Sequence, residues 1–329
     1  MKVAIVTQPL MANYGGILQN YALQQVLKQL GHEPVTIDWL PTTPLKWYLR
    51  GLVRMVVKGV PYRPLFYVRP ERFDAFVRSK LSLTPTVHCY RKSLVEGMDA
   101  LVAGSDQVWR PGYSPRLLPD MFFRFAGDFG GIRMAYAASF GTDHWEASPS
   151  LKACCRRYAK AIHPVSVREK TGIDICRQEL GMDAVQMPDP VFLLPAEAYL
   201  DLCAGIPRTE EPYIAAYILD ERKEVVSQLA QTAAESGLPI RRCTAGRDAT
   251  LTVEEWLALF RDAREVVTDS FHGSVIARLL NKKCTTICNE QRGKTRFDEL
   301  NRLGTDLEAL RQKGLSFLRD ALANKAESL

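Results

Sequence analysis

The chain has 329 residues, 47% of them hydrophobic and 24% charged, with 43 basic and 37 acidic side chains giving a net charge of +6. That length is too great for one ordinary core and suits two domains of about 150 residues. The composition is that of a globular protein, and no stretch approaches the roughly 20 apolar residues of a membrane helix.

Lys2 to Thr7 reads as a short buried strand. Its apolar run is too short for a secretory signal, so the expected location is the cytosol. Met11 to Gly16 reads as a loop, Ile17 to Leu30 as a helix closed by Gly31, and Pro34 to Trp39 as a second strand, a βαβ opening. Lys46 to Lys80 then carries nine Lys/Arg against Glu71 and Asp74, so this segment holds +7 and the rest is near neutral. Lys46, Arg50, Arg54 and Lys58 recur every four residues beside an apolar face of Leu45, Leu49, Leu52, Val53, Val56 and Val57. Two readings fit: an interfacial helix on a membrane, or a core-facing helix with a solvated basic edge. The charge is local and no nucleic-acid motif accompanies it, so nucleic acid is not an expected partner.

Further strands are expected at Asp99–Ala103, Met134–Phe140 and Val165–Arg168, and a helix at Lys170–Leu180. Prolines 188, 190, 195 and 207 break the pattern, which places a domain boundary between about 190 and 210. A second alternation follows: strands at Tyr213–Leu219, Ile240–Thr244, Glu265–Asp269 and Cys284–Cys288, with helices at Glu221–Ser236, Val253–Ala263 and Gly273–Leu280. Helix returns from Thr305. The expected class is α/β, two Rossmann-like doubly wound domains facing a cleft: residues 1–195 with a basic insertion at about 41–95, and residues 208–329 with the C-terminal helix. Eight cysteines form no CxxC pair, and Cys284 and Cys288 lack neighbouring histidines. They read as reduced thiols rather than a metal cage.

Ser270-Phe271-His272-Gly273 lies where a strand ends and a helix begins, the place where open α/β sheets bind ligands. Histidine suits proton transfer near neutral pH, and His272 alone among five histidines has such surroundings. Asn13-Tyr14-Gly15-Gly16 offers a helix start to an anion, or is a plain tight turn. The GxGxxG fingerprint is absent, against NAD. Gly104-Ser105-Asp106-Gln107 follows a strand and points small and polar groups at the cleft; Asp106 is either a proton acceptor or an N-cap. Arg168 is either a bidentate anion ligand or an ion pair with a nearby acid. Arg292-Gly293-Lys294-Thr295-Arg296 is a basic cluster after the last strand.

Together these segments resemble the polysaccharide pyruvyl transferase family. The pieces run in order: Asn13-Tyr14-Gly15-Gly16, Val102 to Trp109, Ala135 to Gly141, Val167-Arg168-Glu169, Asp189-Pro190 and Thr268 to Gly273. The resemblance implies a GT-B-like fold, phosphoenolpyruvate as donor, and a sugar diol of a polysaccharide or lipid-linked glycan as acceptor. The products are a pyruvate ketal and phosphate; no cofactor is expected, and no residue is read as a metal ligand. The resemblance maps the family histidine onto His272 and a strand-end arginine onto Arg168; with Asp106 at the acceptor, His272 and Asp106 are the expected catalytic residues. Arg168, Asn13, Gly15, Gly16, Ser270, Gly273, Arg292 and Arg296 are expected around the donor, and Gly104, Ser105, Gln107 and Trp109 around the acceptor. Some members look like Arg-Leu-His where this chain has Ser270-Phe271-His272, and Arg278, Arg292, Lys294 and Arg296 are candidate replacements for that arginine. The alternatives are a nucleotide-sugar glycosyltransferase on the same fold, or a non-catalytic glycan-assembly protein. A peripheral membrane contact through residues 45–58 is a separate expectation.

Overall fold

The computed structural model describes residues 1–43, 45–58, 67–113, 117–288, 297 and 306–323. Lys2–Val6 (β1), Glu33–Thr36 (β2), Ala100–Gly104 (β3), Ile132–Ala138 (β4), Val165–Val167 (β5) and Val185–Gln186 (β6) make one sheet, ordered β2-β1-β3-β4-β5-β6. Ile214–Tyr217 (β7), Ile240–Cys243 (β8), Glu265–Thr268 (β9) and Lys283–Thr286 (β10) make a second, ordered β10-β9-β7-β8. Every pairing is parallel. The central strands β3, β7 and β9 are buried along their whole length, and β3 and β7 accordingly read as near-continuous apolar runs rather than alternating ones.

The helices are Tyr14–Gln29 (α1), Leu45–Lys58 (α2), Glu71–Lys80 (α3), Pro149–Ala159 (α4), Lys170–Ile175 (α5), Ala196–Leu202 (α6), Lys223–Ser236 (α7), Val253–Asp262 (α8), Phe271–Leu279 (α9) and Leu307–Ala323 (α10). Two begin earlier than expected. Asn13 caps α1, its Oδ1 accepting from the Gly16 N–H at 3.2 Å, so Gly15 and Gly16 belong to the first helical turn rather than to a loop. Ser270 caps α9 in the same way through Gly273, at 3.2 Å, which places His272 in the first turn. In both cases the cap side chain overrides the low helix propensity of glycine.

The two sheets are joined by packing as well as by chain. Tyr14 of α1 stacks on Trp256 of α8, with centroids 5.1 Å apart and planes 9° from parallel, and its hydroxyl donates to Leu251 O at 2.8 Å. Gly246 N donates to Ala12 O at 2.9 Å, and Arg72 donates to Ala249 O. The last helix, expected with the second unit, packs on the first sheet instead. Phe317 lies 6.0 Å from the Tyr136 ring, and Gly314 fits against Leu193 and Tyr136. Sequence position alone assigned α10 to its neighbours in the chain; its apolar face finds the first sheet.

The apolar face of α2 does not face the core. Leu45, Leu49, Val53, Val56 and Val57 are exposed, so the core-facing reading fails for these side chains. The side chains of Lys46 and Lys58 lie outside the described residues.

Candidate active site

In the first sheet β1 stands between β2 and β3, and in the second β7 stands between β8 and β9. At each of these points the chain departs to opposite faces, leaving a crevice at the carboxyl ends of the strands. The two crevices meet in one cavity of about 340 Å³, within the range of small-molecule sites. Its wall includes Gln8, Asn13, Asp106, Gln107, Tyr113, Asp269, Ser270, Phe271, His272 and Phe297.

His272 is buried to within 6% and sits on this wall. Its Nε2 lies 3.3 Å from Asp189 Oδ2, close enough for a charge pair but not aligned as a hydrogen bond. Nδ1 is on the other side of the ring, against Gly15: a Cβ built there would lie 2.1 Å from it. Only a glycine lets the start of α1 approach the imidazole this closely. Phe271 meets the imidazole edge to face at 5.2 Å.

Asp189 is fully buried, and three groups converge on its Oδ2. These are Arg168 Nη2 at 2.7 Å, His272 Nε2 at 3.3 Å and Ser105 Oγ at 3.4 Å. Its Oδ1 accepts from Val191 N at 2.9 Å. Burial alone pushes the Asp189 carboxyl up. The Arg168 guanidinium, the adjacent His272 ring and the Val191 N–H donor outweigh burial and hold it well below the usual carboxylate range. Arg168 also donates to Ser105 Oγ at 2.5 Å and lies over the Phe271 ring at 5.2 Å. It is 3% exposed and absent from the cavity wall. The direct donor contact expected of Arg168 is therefore corrected: of its two sequence readings, the ion pair is the one realised, with Asp189 rather than Glu169. Its sequence neighbour Glu169 caps the next helix by position, whereas Asp189 arrives from the connection between the sheets.

Asp106 stands on the wall with φ of 67°, a left-handed conformation uncommon outside glycine. The strain is tied down by the backbone. Its Oδ1 accepts from Gln107 N at 2.8 Å, while its carbonyl accepts from Val108 N at 2.8 Å and Ser139 N at 3.1 Å. A β-bulge between Ala135 and Ala138 brings the Ser139 loop to it. Asn13, Ser270 and Gln107 are also on the wall, and Gly16 packs against Asn13 and Asp106. Asn13 and Ser270 act as helix caps, so both helix starts face the cavity with their first turns already ordered.

Other expected residues are placed elsewhere. Trp109 is fully buried in the first sheet's core, stacked on Phe122 at 4.9 Å, and cannot touch an acceptor in this cavity. Its burial makes it a core residue rather than part of an acceptor site. Gly104 packs against Leu23 and Ile5, and Gly273 against Thr268 and Tyr217, so both serve packing. Ser105 lies behind the wall with Arg168. Arg278 is in the last turn of α9 and off the wall. Arg292, Lys294 and Arg296 lie outside the described residues, although Phe297, next in the chain, lines the cavity.

Sequence reasoning missed Asp189 as a partner of His272, having read it only as a family motif and a breaker between prolines. It also missed Asp269, whose carboxylate accepts from Leu219 N at 2.6 Å and Asp220 N at 3.1 Å and so fixes the loop after β7. The signal was an acid at a strand end, directly before the Ser270 cap. Among the described wall residues the charged groups are Asp106 and Asp269, with no Lys or Arg. Among the described residues no group of three or more His, Cys, Asp or Glu could hold a metal.

The family model for polysaccharide pyruvyl transferases matches residues 13–290, a span that contains both helix starts, Asp106, Asp189 and His272. The chain belongs to the polysaccharide pyruvyl transferase family. As a member it is a transferase of polysaccharide biosynthesis, with a glycan acceptor. No curated protein gives a significant match to the chain. Among solved structures it superposes on UDP-bound MnaA of S. aureus with a TM-score of 0.50 at 10% identity, covering 96% of this chain and 88% of that one. UDP-GlcNAc 2-epimerase from Neisseria meningitidis, bound to UDP-GlcNAc, gives a TM-score of 0.50 at 9% identity, covering 98% and 100%. At these identities the likeness establishes the GT-B-like two-sheet fold and nothing about ligands.

Proposed function

We propose that this pyruvyl transferase moves the enolpyruvyl group of phosphoenolpyruvate onto two hydroxyls of a sugar to form a pyruvate ketal, the sugar being part of a polysaccharide or lipid-linked glycan. The observation that carries this reading is His272, set on the cavity wall with Nε2 turned to the buried, ionised Asp189. A carboxylate behind an imidazole orients the ring. Nδ1, on the far side of the ring from Asp189, is then the nitrogen assigned to the proton transfer.

In this reading His272 gives a proton to the methylene carbon of the donor, and C2 becomes electrophilic. A sugar hydroxyl bonds to C2 and passes its proton to Asp106. The bond from C2 to the phosphate oxygen breaks, and phosphate leaves with the Asp106 proton. The second hydroxyl closes the ketal on C2, and its proton returns to His272. Two helix starts face the donor's negative charge. The wall's polar character, from Gln8, Asn13, Asp106, Gln107 and Tyr113, suits sugar hydroxyls. The cations that a phosphate and a carboxylate require are assigned to Arg292 and Arg296, on the sequence ground that Phe297 follows them onto the wall. Arg168 is a positioning residue acting through Asp189.

Calorimetric titration at pH 7 tests the reading. Phosphoenolpyruvate should bind wild type, and Arg292→Ala with Arg296→Ala should weaken it at least about tenfold, the scale of one charged hydrogen bond. His272→Gln should bind donor yet release no phosphate with acceptor present. Binding of UDP but not of phosphoenolpyruvate by folded wild type would replace this reading with a nucleotide-sugar donor.

A further inference from the structure

We infer that α2 is a docking surface for an anionic lipid bilayer. The inference goes beyond the donor chemistry and borrows from the reading above only the idea of a lipid-carried acceptor. Leu45, Leu49, Val53 and Val56 recur at intervals of three and four residues and form one stripe along the helix. They are exposed by 62%, 52%, 62% and 80% of their surface, with Val57 beside them at 71%. Single exposed apolar side chains are ordinary; a continuous row on one helix is a mark of an interaction face.

The charge on the same helix selects the partner. Leu45–Lys58 contains four Lys/Arg and no acidic residue. Arg50 and Arg54 are exposed and lie to one side of the stripe, past Val57. A second copy of the chain would set these cations against their own kind. An anionic lipid surface complements them, while the stripe enters the boundary of the acyl chains. Among the described residues no helix is long and apolar enough to cross a membrane, so the contact is peripheral.

The topology gives the contact a use. The chain leaves β2 toward α2 at the carboxyl edge of the first sheet, the edge at which the cavity opens. Arg69, which follows α2, is buried and donates to Leu10 O in the loop after β1 and to Asp38 and Asp74. The chain beyond α2 is thereby tied at Arg69 to the loop that leads into Asn13 and the cavity wall. A bilayer held at α2 presents lipid-borne glycans on the cavity side of the molecule.

Flotation with vesicles tests this directly and needs no substrate. The full chain should bind vesicles of phosphatidylcholine with about one-third phosphatidylglycerol, and bind pure phosphatidylcholine at least about tenfold more weakly. Arg50→Glu with Arg54→Glu should lose most of that preference, and Leu49→Ser with Val53→Ser and Val56→Ser should lose binding to both. Because all five positions are solvent-exposed, each variant should keep the wild-type melting temperature and its affinity for phosphoenolpyruvate. Retained donor binding separates failure of docking from failure of the active site. No binding of wild type to anionic vesicles overturns the inference. Binding that neither variant changes also overturns it. So does a wild-type dimer in sedimentation that the serine variant makes monomeric, because the stripe would then belong to a second copy.

Discussion

His272 keeps its position because nothing larger than hydrogen stands at Gly15. Gly15→Ala places a methyl group 2.1 Å from Nδ1, so the ring must move by about an ångström. Displacement on that scale costs about 100-fold in rate, and overpacking costs about 1–3 kcal/mol of stability. Phosphate release by the folded variant should fall to that degree; wild-type turnover in Gly15→Ala would remove His272 from the mechanism. Asp189 is the residue behind it. Its carboxyl titrates well below the ordinary range in the folded protein. Its ionised form therefore stabilises the fold fully above the unfolded carboxylate pKa of about 3.9, and that contribution is lost as pH falls from there through the folded value. Asp189→Asn leaves Arg168 buried without its counter-ion and should cost about 3–5 kcal/mol at pH 7. Denaturant unfolding at pH 7 and pH 3 should show the gap between wild type and variant narrowing at the lower pH. A gap that stays constant would mean that the pair is not held as described.

At the scale of elements, the helix starts explain why the site is built where it is. Asn13 and Ser270 each satisfy an N–H of the first turn, at 3.2 Å, so α1 and α9 begin at the cavity rather than at Ile17 and Gly273 downstream. The strands and helices of the two alternations were legible because their apolar runs and breakers are local. The beginnings of α1 and α9 were misplaced because glycine lowers helix propensity locally while the cap raises it. The last helix shows the other limit. Its amphipathic pattern marks a helix but not a partner, and Gly314 is what lets it lie against Leu193 and Tyr136. A Cβ at Gly314 would meet Leu193 Cδ2 and Tyr136 Oη at 2.4 Å. Gly314→Val should lower stability by about 1–3 kcal/mol despite the better helix propensity of valine. Gly205→Val, where an added Cβ meets nothing within 4 Å, should change the melting temperature little. Equal melting temperatures for the two variants would show that α10 does not rest on the first sheet.

For the whole molecule, the chain order of residues determined a good deal. Two strand–helix alternations, a proline-rich break and six short motifs in sequence predicted a two-sheet α/β fold and the family. Most of the polar wall was also legible, because Asn13, Asp106, Gln107, Ser270 and His272 stand at strand ends, and parallel strands bring their carboxyl ends to one edge. What only the tertiary structure decided is the pairing across that edge. Arg168, at the end of β5, and Asp189, from the connection between sheets, share Oδ2 with His272 from the second sheet. Trp109 is in the core, and the apolar face of α2 is in solvent although its pattern equally fitted a buried helix. Propensity, periodicity and capping act over a few residues and so are written locally. An ion pair between residues 21 and 83 positions apart, and the choice of which apolar face is covered, depend on how two sheets and a returning helix pack.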